Sequence, residues 1–194
     1  MDDDFVKRRK SQENLILLVL GAVSDTPMSK LHLEKDIYLL YNFHLEIPKF
    51  IKFSAYHRGP YSQEIADAIQ DPYIRTDEWV YNPIDKQDKY SSGYIKLTEK
   101  GREEYKKLYD KMLSNKRMHS LLAGIELVRR LYDNLTPQEF IYIIYETYPN
   151  MTVNSEIKNE IFAKREEITR NLKQKFGFIT DTQNDPKQKE SLPQ

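Results

Sequence analysis

His57 and Arg58 stand directly before Gly59-Pro60, which brings an imidazole, a guanidinium and a turn-forming pair together in one short stretch. Residues so placed either contact a ligand or phosphate from a loop, or set the angle at which the next helix leaves the turn. Tyr61 follows, giving a candidate partner-binding set of His57, Arg58 and Tyr61. Metal chemistry lacks its spacing. The four histidines, His32, His44, His57 and His119, include no H-E-x-x-H pair and no comparable carboxylate arrangement, so no metal site is expected. The absence of cysteine removes thiolate catalysis, disulfides and zinc–thiolate sites. A phosphate cradle needs clustered glycines, and the six glycines here are scattered singly. No G-x-S-x-G elbow marks a nucleophile. The expectation is therefore a non-enzymatic protein without a cofactor.

Nucleic-acid binding is the other chemistry to weigh. The net charge is zero, with 30 basic and 30 acidic residues, so any duplex contact must come from a local patch. Ser62 and Gln63 open a short helix and are candidate base readers. Glu64 and Asp67 on the same helix face phosphates badly, and it carries no Lys or Arg. Lys86 and Lys89 lie in a polar run beside Asp85 and Asp88. Arg102, Lys106 and Lys107, followed by Lys111, Lys116 and Arg117, outnumber the acidic Glu103, Glu104 and Asp110. Lys7 to Lys10 form a second basic cluster behind Asp2 to Asp4. The candidate DNA-binding set is Ser62, Gln63, Lys86, Lys89, Arg102, Lys106 and Lys107. Both basic clusters also fit a solvated charged face.

The elements that would position these residues follow from hydrophobic spacing and from caps. Gln12 to Val23 is too densely apolar for a surface helix and belongs in a core. Ser29 caps a second helix running to about Phe43, with Leu33, Ile37, Leu40 and Tyr41 in one stripe. Pro48 forbids a continuing helix, and Phe50 to Tyr56 favours an extended segment. Pro60 can occupy the first turn of a third helix, Tyr61 to Gln70, which Asp71-Pro72 ends. Two strands, Trp79 to Ile84 and Gly93 to Leu97, flank a polar tip as a hairpin with a wing. Thr98 caps a charged helix to about Lys116 that carries Tyr105, Leu108, Tyr109 and Met112 on one face.

Beyond it, Ser120 to Tyr132 is amphipathic. Thr136-Pro137-Gln138-Glu139 is a capping box, with Leu135 and Phe140 spaced as a hydrophobic staple. Phe140, Ile141, Ile143, Ile144 and Tyr145 cover most of the following helix, which is either buried in its own chain or lies in a homodimer interface. A last helix is expected from Ser155 to Phe176, ending at Gly177, and a nearly apolar-free disordered tail from Thr180.

Three stretches in this order and spacing, KLHLEKDIYLLYNF, FSAYHRGPYSQEIADAI and GYIKLTEKGREEYKKL, resemble the uncharacterised prokaryotic YwgA-like proteins. More distantly they resemble the SocA-like antitoxin, or Panacea, domain. The His57 to Ser62 turn is similar to that group's His-Gly-Pro turn, here with Arg58 between His57 and Gly59. Tyr145 to Ile161 resembles the C-terminal half of the YwgA-like proteins. The resemblance implies a winged-helix-like fold with a role in regulation or in toxin or partner binding. It brings no catalytic residue.

The expected fold is mainly α (α+β), a winged helix-turn-helix domain with a C-terminal helical extension. The expected division is a charged arm at 1–11, a winged-helix-like domain at 12–118, helices at 119–179 and a tail at 180–194. The expected function is a cytoplasmic DNA-binding regulator, or alternatively an antitoxin-like or adapter module that binds protein. No membrane span is expected, because the apolar run from Leu15 to Val23 is too short.

Overall fold

Leu15 to Leu20 are buried without a break in the last turns of the first helix, so this end of it is surrounded rather than laid on a surface. The computed structural model describes residues 3–23, 26–83 and 93–177. The chain is mainly helical, with two small antiparallel sheets. Helix α1 (Asp3–Gly21) packs on α2 (Lys30–Phe43), α3 (Gln63–Gln70), α4 (Glu99–Leu113) and α5 (His119–Tyr132). The remaining helices are α6 (Pro137–Thr147), α7 (Lys158–Ala163) and α8 (Arg165–Lys175). Among the described residues, no helix is long and apolar enough to cross a membrane.

The first sheet joins β1 (Met28–Ser29), β4 (Trp79–Asn82) and β5 (Tyr94–Leu97) in the order β1-β5-β4. Trp79 pairs with Leu97 and Asn82 with Tyr94, while Met28 pairs with Ile95 on the other edge of β5. The expected hairpin is therefore present, and its tip, including Lys86 and Lys89, lies outside the described residues. The second sheet is a tight hairpin, β2 (Ser54–Tyr56) against β3 (Gly59–Tyr61).

The expected caps hold. Ser29, Thr98 and Thr136 each accept the backbone N–H three residues on, from His32, Gly101 and Glu139. Glu139 returns a carboxylate to the Thr136 N–H and completes the box.

Four boundaries differ from expectation. Residues 3–10 are not an arm but the first turns of α1. The Arg9 guanidinium donates to the carbonyls of Glu64 at 3.4 Å and Asp71 at 2.8 Å, which holds those turns against α3. Pro60 is not in a helix but in β3, opposite Ala55. The third helix accordingly starts at Gln63, with Ser62 as its cap. The last helix is two, because the Lys164 N–H turns back to Ile161 O at 3.2 Å and interrupts the α-helical ladder.

One hydrophobic core runs from Leu15 on α1 to Ile168 on α8, so segments 12–118 and 119–177 share it. Phe140, Ile141, Tyr142, Ile144 and Tyr145 on α6 are all buried in that core. Ile143 is half-buried, so most of the apolar surface of α6 is used within the chain itself.

Buried polar groups fix how the helices meet. Glu13, on α1 and fully buried, accepts the backbone N–H groups of Tyr73, Ile74 and Arg75 at 2.7–2.8 Å. Arg9 Nε lies 3.2 Å from the same carboxylate. Asp36 on α2 faces Arg129 on α5 at 3.4 Å, and Arg129 also pairs with Asp133 at 2.9 Å. Burial drives the Asp36 carboxyl up to about 8, more than the Arg129 guanidinium pulls it down.

Two stability outcomes follow. Glu13→Ala strands three backbone donors, each of which needs a partner when buried, and removes about 3 kcal/mol. Urea unfolding reads this as a lower midpoint at unchanged slope. For Asp36 the folded acid holds a proton that the unfolded chain has lost above pH 3.8. Its contribution therefore falls as pH rises, by up to about 1.4 kcal/mol per pH unit, and levels off once the folded group titrates. His32, lowered by burial, acts with the opposite sign below 6.5. The wild type should lose stability relative to Asp36→Asn from pH 6.5 to 8. Parallel stability curves over that range would refute it.

Candidate functional site

The β2–β3 hairpin turns through His57 and Arg58 into Gly59, whose φ of +91° lies in the left-handed region that suits glycine. A Cβ at Gly59 would also sit 2.9 Å from the Tyr145 ring of α6. The turn is therefore pressed onto the core, and its two side chains are carried outward from a fixed base.

Helix α2 holds the hairpin from the other side. Lys35, fully buried, donates to Pro60 O at 2.6 Å and to Glu34 Oε2 at 3.2 Å. Glu34 Oε1 accepts the Ser62 N–H at 3.3 Å. This adjacent acid–base pair ties α2 to the corner where β3 becomes α3. Burial pushes the Lys35 ammonium down from its ordinary value, Glu34 opposes that, and nearby Arg58 adds to the lowering.

A third segment, remote in the chain, closes the site. Asn154 Nδ2 donates to Ala55 O at 3.0 Å, and the Glu156 N–H donates to His57 O at 3.0 Å. The Glu156 carboxylate meets His57 Nδ1 at 2.7 Å.

These pieces surround a cavity of about 310 Å³. Tyr56 and Tyr61 are stacked at 4.9 Å along the hairpin edge, and His57 lies 4.0 Å from the Tyr56 ring. Lys30, Glu34 and Lys35 of α2 line it, together with Arg58 and Glu156. Lys30 sits 5.6 Å from the Tyr81 ring centre, and burial lowers its pKa despite the pull of Glu34 and Asp67.

The three expected partner-binding residues, His57, Arg58 and Tyr61, thus meet around one cavity. The described members of the expected DNA-binding set are spread over α4, α3 and the cap before α3. Ser62 is buried and fully engaged. Its hydroxyl accepts from Ile65 N and donates to Glu64, so it caps α3. Gln63 is exposed but binds Asp67 at 2.7 Å and Tyr61 at 3.1 Å. Arg102 is half-buried and donates to Leu97 O at 3.4 Å. Lys107 pairs with Glu104 at 2.7 Å, and Lys106 is exposed. Gln63 belongs to α3 and the other three to α4, two helices that each pack on α1.

Lys30, Glu34, Lys35 and Glu156 escaped the sequence reading. Charged residues inside the apolar Leu31-to-Leu40 run were a readable signal for the α2 set. Glu156 carried none, since its partner His57 lies about a hundred residues away.

No model of a known protein family matches this chain, and no curated protein matches its sequence.

Gly59→Ala combines a strained φ with the Tyr145 contact and should lower stability by about 2 kcal/mol. Thermal unfolding checks it. A wild-type melting temperature in this variant would mean that the turn is not pressed onto the core as described.

Proposed function

We propose that this chain is a non-enzymatic binding module on a winged-helix framework, which grips a partner protein through the cavity at the His57–Arg58 turn. One observation carries the reading: segments from α2, the β2–β3 hairpin and residues 154–156 converge on that cavity. Each is held there by buried or backbone hydrogen bonds. A site so braced suits recognition of a fixed shape. The order α1, β1, α2, α3 and the β4–β5 hairpin, with the β2–β3 hairpin inserted between α2 and α3 and β1 on the outer edge of β5, supports the winged-helix framework. The same turn carries the resemblance to the SocA-like antitoxin group, which favours an antitoxin-like or adapter role. With no nucleophile, metal spacing or cofactor motif read from the sequence, we extend the proposal to a protein without catalysis.

Duplex DNA is the second reading. It draws on the winged-helix order and on Lys106, Lys111, Lys116 and Arg117, exposed cations without a carboxylate partner among the described residues. The helix after the turn weighs against it, since α3 presents Gln63, Asp67 and Gln70 outward and offers no cation.

Affinity capture from host lysate with the full chain tests the first reading. A stoichiometric protein should be recovered, and Arg58→Glu or Tyr61→Ala should weaken its binding at least about tenfold. Retention unaffected by both variants would remove the cavity from the interface. In a gel shift at low salt, a duplex complex that dissolves on Lys106→Ala and Lys111→Ala would instead favour the second reading.

A further inference from the structure

We propose that the cavity takes an anionic group, a carboxylate or phosphate carried on a flat apolar body, held between Lys30 and Arg58 beside the Tyr56–Tyr61 stack. The inference rests on the reading of this cavity as the ligand-binding surface.

The pairing of charges around the cavity carries it. Glu34 is occupied on both oxygens, by Lys35 Nζ at 3.2 Å and by the Ser62 N–H at 3.3 Å. Glu156 is turned to His57, with 2.7 Å between Oε1 and Nδ1. Lys35 is in turn engaged by Glu34 and Pro60 O. Lys30 and Arg58 remain. Neither has a carboxylate within ion-pair distance among the described residues, and both are half-buried at the cavity wall. Half-buried cations lose hydration that no direct ion pair restores here, so they favour an incoming negative charge. The lowered pKa of Lys30 has burial as its largest cause, which agrees with that loss. Arg58 supplies a planar fork that fits a carboxylate or phosphate with two parallel hydrogen bonds.

The rest of the wall selects what carries the anion. Two stacked tyrosine rings offer an aromatic edge and face against which a flat group packs. A volume of about 310 Å³ is at the small end for ligand sites. It admits one ring with its acidic group, such as a partner's side chain or terminus or a free aryl acid. A cationic ligand is disfavoured because both carboxylates already have partners.

The test uses amide NMR spectra of the full chain titrated with benzoate, phenyl phosphate, inorganic phosphate and neutral benzamide. The aryl anions should shift the amides of Lys30, Arg58, Gly59 and Tyr61 saturably, and bind at least about tenfold more tightly than benzamide. Added salt should weaken them. The double variant Lys30→Gln, Arg58→Gln should lose this binding while keeping a folded spectrum, and Arg58→Lys should recover part of it. Inorganic phosphate binding as well as phenyl phosphate would discard the flat carrier and keep the anion. Benzamide binding as tightly as benzoate would overturn the anionic assignment and leave the cavity as a binding site. Absence of shifts at these amides with every probe would overturn the inference as well. Partner capture that ignores Arg58 and Tyr61 would instead overturn the functional reading beneath it, so the two failures are distinguishable.

Discussion

A titratable side chain buried on a helix needs polar partners, and α2 buries four such side chains within five residues. His32, Glu34, Lys35 and Asp36 are all nearly inaccessible. An unpaired charge there would be expensive, so each position dictates where a neighbour must lie. Lys35 and Glu34 set the hairpin and the start of α3 through Pro60 O and the Ser62 N–H. Asp36 sets α5 through Arg129. His32 bridges Ser29 Oγ and Leu135 O, and so places the loop entering α6. These polar contacts admit one arrangement. Glu13 works the same way on α1, where its carboxylate gathers the backbone of residues 73–75 ahead of β4.

This explains which parts of the structure were legible in the amino-acid sequence. Caps were legible because donor and acceptor lie three residues apart, as at Ser29, Thr98 and Thr136. The two strands of the first hairpin were legible for a similar reason, as local alternation bounded by turn residues. The first turns of α1 were not, since the acceptors of Arg9 are carbonyls at Glu64 and Asp71. Pro60 was misplaced because its ring suits a helix start as well as an edge strand, and only pairing with Ala55 decides between them. Ser62 carried both a capping and a base-reading signal. Its burial, a tertiary fact, selects the cap.

The candidate site divides along the same line. His57, Arg58 and Tyr61 drew attention because a turn with a glycine concentrates unusual residues in a short span. The cations and acids opposite them belong to the inner face of α2, where the same residue types look like interruptions of a hydrophobic stripe. Whether such an interruption is a flaw or a site depends on what faces it, and what faces Lys35 is a carbonyl 25 residues further on.

The network under the cavity also has a consequence for how the cavity works. Lys35 touches both worlds: its ammonium holds the hairpin, and Arg58 at the cavity wall acts on its charge. Pro60 and Ser62, the acceptor and donor that α2 grips, lie one and three residues after Gly59, which is held by its φ and by Tyr145. A loop anchored on both sides within three residues has little freedom left to lose when a ligand arrives. Binding energy gained at Arg58 is then not spent on ordering the turn. The rigidity comes from the same buried charges that align α2 with its neighbours, so the packing of the core and the readiness of the cavity are one constraint expressed at two places.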